Sequence, residues 1–276
     1  MVAKMQTFAQ SIDERVRTSS AHSNSFFENC EDSSKRARLE NVAEMVINWY
    51  FVTKHFGLSA PVYTGVLARE LRNAEGKKSK LLQYLLVESA MISGDDLGLG
   101  HEQLYNEHGG SQIPHNERIH YKLWGDMTEK IIAQCKDKKI KSNQINGLNI
   151  EGAQARGLVQ PETVKLVRKI EEEFSTIEGG ASIYQTVESI AYNIVVAYGN
   201  LIKRVDNISL TDRDLVYLEI HKPLEKEHDV QSTSIIELVD RYFDGKYRTK
   251  IRTKVKETSE LFGDFWRAMD EIVFKN

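Results

Sequence analysis

The chain contains two cysteines, Cys30 and Cys135, and four prolines, Pro61, Pro114, Pro161 and Pro223. Two thiols so far apart, in no Cys-x-x-Cys arrangement, exclude a disulfide framework and supply no thiolate metal site. A reducing cytosol is the expected setting, so the protein is read as cytoplasmic. Long hydrophobic runs are missing as well. None approaches the ~18 residues that cross a bilayer, and no basic stretch followed by an apolar one opens the sequence, so neither a membrane nor export is expected. An excess of one charge is also absent: 37 basic residues face 40 acidic ones and the isoelectric point is near 6.3. No broad basic surface is available to neutralise phosphates, and nucleic acid is not an expected partner. Strand-like alternation is scarcely visible, which leaves little room for a sheet.

What remains is helical periodicity. With 41% hydrophobic and 28% charged residues, 276 positions suit one all-α domain with a core of useful size. The polar residues 1–24 read as an N-terminal arm and 25–276 as the domain. Helices are expected over 34–56, from about 61 to 73, and over 78–93, 120–135, 161–177, 182–205, 212–242 and 250–274. Gly57-Leu58-Ser59-Ala60-Pro61 is read as a break between the first two. Pro161 and Thr211 stand where helices ordinarily begin. Residues 94–119 hold five glycines and Pro114 among His101, His108 and His115. They read as a long loop, and loops of that length in compact domains are usually functional or disordered.

The clearest chemical signal is Tyr217-Leu-Glu-Ile-His221-Lys-Pro-Leu-Glu225-Lys-Glu-His228. His221, Glu225 and His228 fall at i, i+4 and i+7, on one helical face. Imidazole nitrogen and carboxylate oxygen together suit iron or manganese, and helical bundles present such ligands inward. The alternative is a solvated polar face, since Lys222, Lys226, Glu227 and Asp229 lie around it. Pro223, between the first and second candidate ligands, is expected to kink the helix. A second signal is Glu188, with Tyr184, Ala191 and Tyr192 at helical spacing, which points its carboxylate to the interior. An uncompensated buried carboxylate is costly. A metal is one remedy; an arginine partner or a tyrosine hydrogen bond is the other. Tyr84-Leu-Leu-Val-Glu88-Ser-Ala echoes Tyr184-Gln-Thr-Val-Glu188-Ser-Ile-Ala, and Glu88 also has apolar neighbours at Leu85, Met91 and Ile92.

These residues resemble the haem-oxygenase-like diiron oxidases and oxygenases. The late metal helix of that family reads His-x3-Asp/Glu-x2-His, matched by His221, Glu225 and His228 without a gap, and Glu188 stands about one helix earlier, where the family supplies a bridging glutamate. Its early motif, an acid before Leu-Gly followed by a histidine before x-x-Leu-Trp/Phe, is similar to Asp96-Leu-Gly and His120-Tyr-Lys-Leu-Trp124. The resemblance spans roughly residues 25–245. The early acid is aspartate here rather than glutamate, so Glu88, Asp95 and Asp96 stay open as alternatives. With the two early pieces pushed apart, His101, His108 and His115 stay open beside His120.

The resemblance implies a haem-oxygenase-like bundle of about seven helices without haem. Its metal ligands would be Glu88 or Asp96, His120, Glu188, His221, Glu225 and His228, holding two irons with O2 as co-substrate. It further implies a small-molecule substrate and leaves room for an external electron donor and a homodimer. Tyr84, Tyr184 and Tyr192, with Tyr217, furnish the expected site with polar aromatic groups, which favours an amino acid or amine derivative oxidised by N-oxygenation or C–C cleavage. Two further readings are kept. One is a self-sacrificing enzyme that converts its own Tyr84 or Tyr184 to an aminobenzoate; the other is a metal-free helical binding protein.

Overall fold

The computed structural model describes residues 6–136, 145, 147–206 and 208–275. Among them are eleven α-helices and no strand. The helices are α1 (Phe8–Arg17), α2 (Ser25–Glu31), α3 (Leu39–Leu71), α4 (Gly76–Asp96), α5 (Glu102–Glu107), α6 (His120–Gln134), α7 (Ile150–Ala155), α8 (Pro161–Glu173), α9 (Ile177–Ile202), α10 (Val216–Tyr242) and α11 (Arg248–Asp270). A short 3-10 turn at His115–Glu117 precedes α6, and a π-helical turn at Glu271–Lys275 ends the described chain.

The count exceeds the expected seven because short helices occupy stretches that read as arm or loop. The polar arm is one of them: from residue 7 on it is folded, and only residues 1–5 lie outside the described ones. Thr7 and Gln10 form a reciprocal capping box that satisfies the first free N–H groups of α1. Ala9, Ile12 and Val16, one stripe at helical spacing, are fully buried against α9, α10 and α11. The stripe is only three residues wide, so the polar surroundings concealed it. The expected break at 57–61 is also absent, since α3 runs through Pro61. A proline inside a helix costs about 3 kcal/mol. Burial of Phe56, Ala60, Tyr63 and Leu67 on both sides of it offsets that cost. Pro223 is likewise carried inside α10 without ending it.

The centre of the bundle is α9, which packs against α1, α2, α3, α8, α10 and α11 and is buried along nearly its whole length. Thr176 caps its start, accepting from the Gly179 N–H at 3.1 Å. Gly180 lets it cross α3 closely, because a Cβ there would overlap the ring of Tyr63. Around α9 the core is strongly aromatic: Phe26 stacks on Trp266 at 5.4 Å between centroids, and Trp49 touches Tyr198, Phe265 and Trp266. On the other side α3, α4, α6 and α10 close around the remaining face, and the polar interior lies there.

Candidate metal centre

Five helices contribute to this interior. The apolar stripe of α10 buries Tyr217, Leu218, Leu224 and Ile235, and the same packing carries His221, Glu225 and His228 inward, each no more than 4% exposed. The solvated-face alternative is thereby excluded. Glu188, 5% exposed, approaches from α9. His120 opens α6, and Asp96 is the last residue of α4. Asp96, His120, Glu188, His221, Glu225 and His228 line one small cavity, of about 50 Å³. That is room for a few waters. Trp49, Val52, Phe56, Val187, Ala191, Ile194 and Val195 form its apolar wall, and no lysine or arginine is among its lining residues.

The ligand-capable atoms of Glu188, Glu225 and His228 all lie within 4.8 Å of one another. His228 Nδ1 is 3.4 Å from Glu188 Oε2 and 3.8 Å from Glu225 Oε2. Beside them, His120 Nδ1 lies 3.1 Å from His221 Nε2 and 3.3 Å from Asp96 Oδ1. The Nδ1 of His221 is 2.6 Å from the Tyr217 carbonyl, to which it donates, so Nε2 carries the lone pair and faces the cavity. The Tyr217 ring lies 4.0 Å from that imidazole, tilted 33° to it.

Burial moves every acid of the group in one direction. It raises Glu188 and Glu225 above the ordinary carboxylate range and pushes Asp96 up to about 7. Burial also pushes His120 and His221 down to about 3, so both are neutral near pH 7. His228 behaves differently. Burial alone would lower it, but the hydrogen bond to Asp95 and the nearby carboxylates of Glu188 and Glu225 hold it well above the ordinary value. Three carboxylates thus converge on one imidazolium. Asp96 Oδ2 and Glu225 Oε2 are buried and accept no hydrogen bond. Unsatisfied buried acceptors beside neutral imidazoles are what a cation would relieve. The donor set fits iron or manganese.

Of the expected site residues, Glu88 is set apart. It is half-buried on α4 and does not line the cavity; its apolar surroundings in sequence include Val87 and Met91, which are themselves exposed. Of the three candidate acids, Asp96 lines the cavity. Asp95 turns outward from it and meets His228 Nε2 at 3.0 Å and His101 Nε2 at 2.8 Å. His120 is the early histidine at the cavity; His108 is half-buried and His115 exposed. The tyrosines are redistributed. Tyr84 and Tyr192 are 64% and 45% exposed. Tyr184 is fully buried, but its hydroxyl pairs with Ser93 Oγ at 2.9 Å. Only Tyr217 of the four lines the cavity. The arginine and tyrosine partners considered for Glu188 are not found among the described residues at the cavity. Sequence reasoning missed Val52, Phe56 and Val187 as wall residues, since apolar helix positions carry no mark of which cavity they face.

The stretch 94–119 is more ordered than a loop. It contains the end of α4, then α5 and the 3-10 turn, and Arg118, 3% exposed, ties it together. The Arg118 guanidinium donates to the Ile113 carbonyl at 2.9 Å and pairs with Glu102, while the Tyr105 hydroxyl donates to the Arg118 carbonyl at 3.0 Å. Gly98, at φ +74°, packs so closely on the Arg118 backbone that no side chain would fit. No helix is long and apolar enough to cross a membrane among the described residues. No protein-family model and no curated protein matches this sequence.

Proposed function

We propose that the protein is a non-haem diiron enzyme of the haem-oxygenase-like kind, which uses O2 to oxidise a small organic molecule. One observation carries the reading: three carboxylates and three imidazoles from four helices converge in a small cavity with an apolar wall and no lysine or arginine to neutralise them. Glu188, Glu225 and His228 would hold one ion and Asp96, His120 and His221 the other. Two such ions supply electrons to O2 and the oxidising power that follows.

The chain's own part is positioning and exclusion. The Tyr217 carbonyl holds His221 with Nε2 directed inward. Trp49, Phe56, Val187 and Ile194 keep water from the reacting centre. The same wall offers no lysine or arginine to bind a substrate carboxylate. The tyrosines that favoured an amino acid or amine derivative lie elsewhere, apart from Tyr217. That class is now one arm of a screen whose other arm is fatty acids. The test begins with anaerobic Fe(II) loading, which should give about two irons per chain, followed by O2 uptake accelerated by substrate. Iron near zero would defeat the proposal. Tight zinc binding without O2 reactivity would assign the site to hydrolysis or structure instead.

A further inference from the structure

Asp95 and Asp96 are adjacent at the end of α4, yet their side chains diverge, as neighbours on a helix must. Asp96 lines the cavity. Asp95, 14% exposed at its side chain, spends both oxygens on histidines: Oδ2 lies 3.0 Å from His228 Nε2 and Oδ1 lies 2.8 Å from His101 Nε2. We infer that Asp95 is a positioning residue that orients His228 toward the metal and fastens the connector between α4 and α6 to that ligand, an inference that rests on the metal-centre reading above.

The argument is one of tautomer and geometry. An imidazole has two nitrogens, and the one bonded to hydrogen cannot bind a metal. With Nε2–H donated to Asp95, the proton that His228 would give up to a metal is the one on Nδ1, the nitrogen that faces Glu188 Oε2 at 3.4 Å and Glu225 Oε2 at 3.8 Å. A carboxylate behind a metal-bound histidine fixes ring orientation and strengthens its donor. Without Asp95 the ring is free to turn, and either tautomer becomes available.

His101 supplies the other half. It stands at φ 52°, in the left-handed region, directly after Gly100, a conformation that costs a residue with a side chain. Its hydrogen bond to Asp95 holds it there. From His101 the chain enters α5, whose Glu102 grips Arg118, two residues before His120. The connector is thus closed on itself by Arg118 and anchored to the centre through His101 and Asp95. Charge withdrawn from His228 by a metal strengthens the Nε2–H···Asp95 bond and draws the anchor tight.

The test uses the full chain, Co(II) as a probe, and the variants Asp95→Asn and His101→Ala. Asp95→Asn should weaken Co(II) binding by roughly 10–100-fold and alter the visible absorption of the bound ion, because the ligand it orients has moved. His101→Ala should leave affinity within a few-fold of the parent. It should, however, abolish the slowing of amide exchange over residues 102–107 that Co(II) produces in the parent. A folded Asp95→Asn variant with parental affinity and spectrum overturns the inference. Should that variant not fold, His101→Ala decides alone: equal slowing by Co(II) in variant and parent overturns it. A parent chain that binds no Co(II) defeats the metal-centre reading instead.

Discussion

Glutamates are buried in this protein in opposite ways. Glu173, at the end of α8, is 1% exposed and flanked by Lys169, with Nζ at 2.8 Å, and by Lys254. Burial would raise its pKa, but the hydrogen bonds from the two lysines hold it below the ordinary range. Glu188 and Glu225 are buried about as deeply, have no lysine or arginine among the cavity's residues, and are raised. The fold evidently has the means to neutralise a structural carboxylate. Leaving Glu188 and Glu225 to share one imidazolium, with the raised Asp96 beside them, is a cost without a structural return, which is the pattern of a site suited to a cation.

The contrast can be broken at either end. The largest effect is expected at the metal helix. Alanine at His221, Glu225 or His228 removes a ligand each time, and should lower iron content and cut O2-dependent turnover by at least ~100-fold, while circular dichroism stays that of the parent. Iron content unchanged in all three would remove the contrast. Next comes Glu173→Gln, which strands Lys254 and half-strands Lys169. It should destabilise by roughly 3 kcal/mol in a denaturant melt with no change in iron content. A loss of iron there would mean that the two glutamates are not so different.

A smaller effect follows pH. Asp96 is pushed up to about 7 by burial, so the folded metal-free chain keeps a proton there that the unfolded chain has already released above pH ~4. That contribution favours folding at low pH and is lost as pH rises through 7. Asp96→Asn should therefore be more stable than the parent by roughly 4 kcal/mol at pH 8 in the metal-free state, with the difference shrinking toward pH 4. Metal must displace the same proton. Affinity in the parent should fall by more than about tenfold per pH unit below 7, because the raised His228 must give up a proton as well, whereas His120 and His221, neutral down to about 3, offer no competition there. An affinity flat from pH 5 to 8 would contradict the assignment of Asp96. The smallest effect concerns the connector. Because Arg118 already closes residues 97–119, proteolysis there should be slow even without metal and slower by only a few-fold with it; rapid cleavage of the metal-free chain would show that the Arg118 clamp does not hold.

How much of this was legible depended on whether a feature lies within one helix or between several. His221, Glu225 and His228 are read directly, because i, i+4 and i+7 fix a shared face whatever the tertiary fold. Glu188 follows from its own apolar neighbours. Asp96 and His120 are separated by a connector whose length carries no angular information, and nothing local distinguishes Asp96 from Asp95; only packing separates the residue at the cavity from the one behind His228. Glu88 was misread for a related reason. Of its apolar neighbours Leu85, Met91 and Ile92, the first and last are buried but Met91 is 50% exposed, so Glu88 stands at the edge of the buried face and not at the cavity. The helix through Pro61 and the buried stripe of α1 were hidden because tertiary packing overrides local propensity.

Glu188→Gln tests the central claim most directly, since it keeps volume and hydrogen-bonding capacity while removing the charge. The account predicts the loss of at least one iron per chain, with a metal-free melting temperature equal to the parent's or higher. Unchanged iron together with a fall of the kind expected for Glu173→Gln would contradict it, and would make Glu188 a structural carboxylate after all.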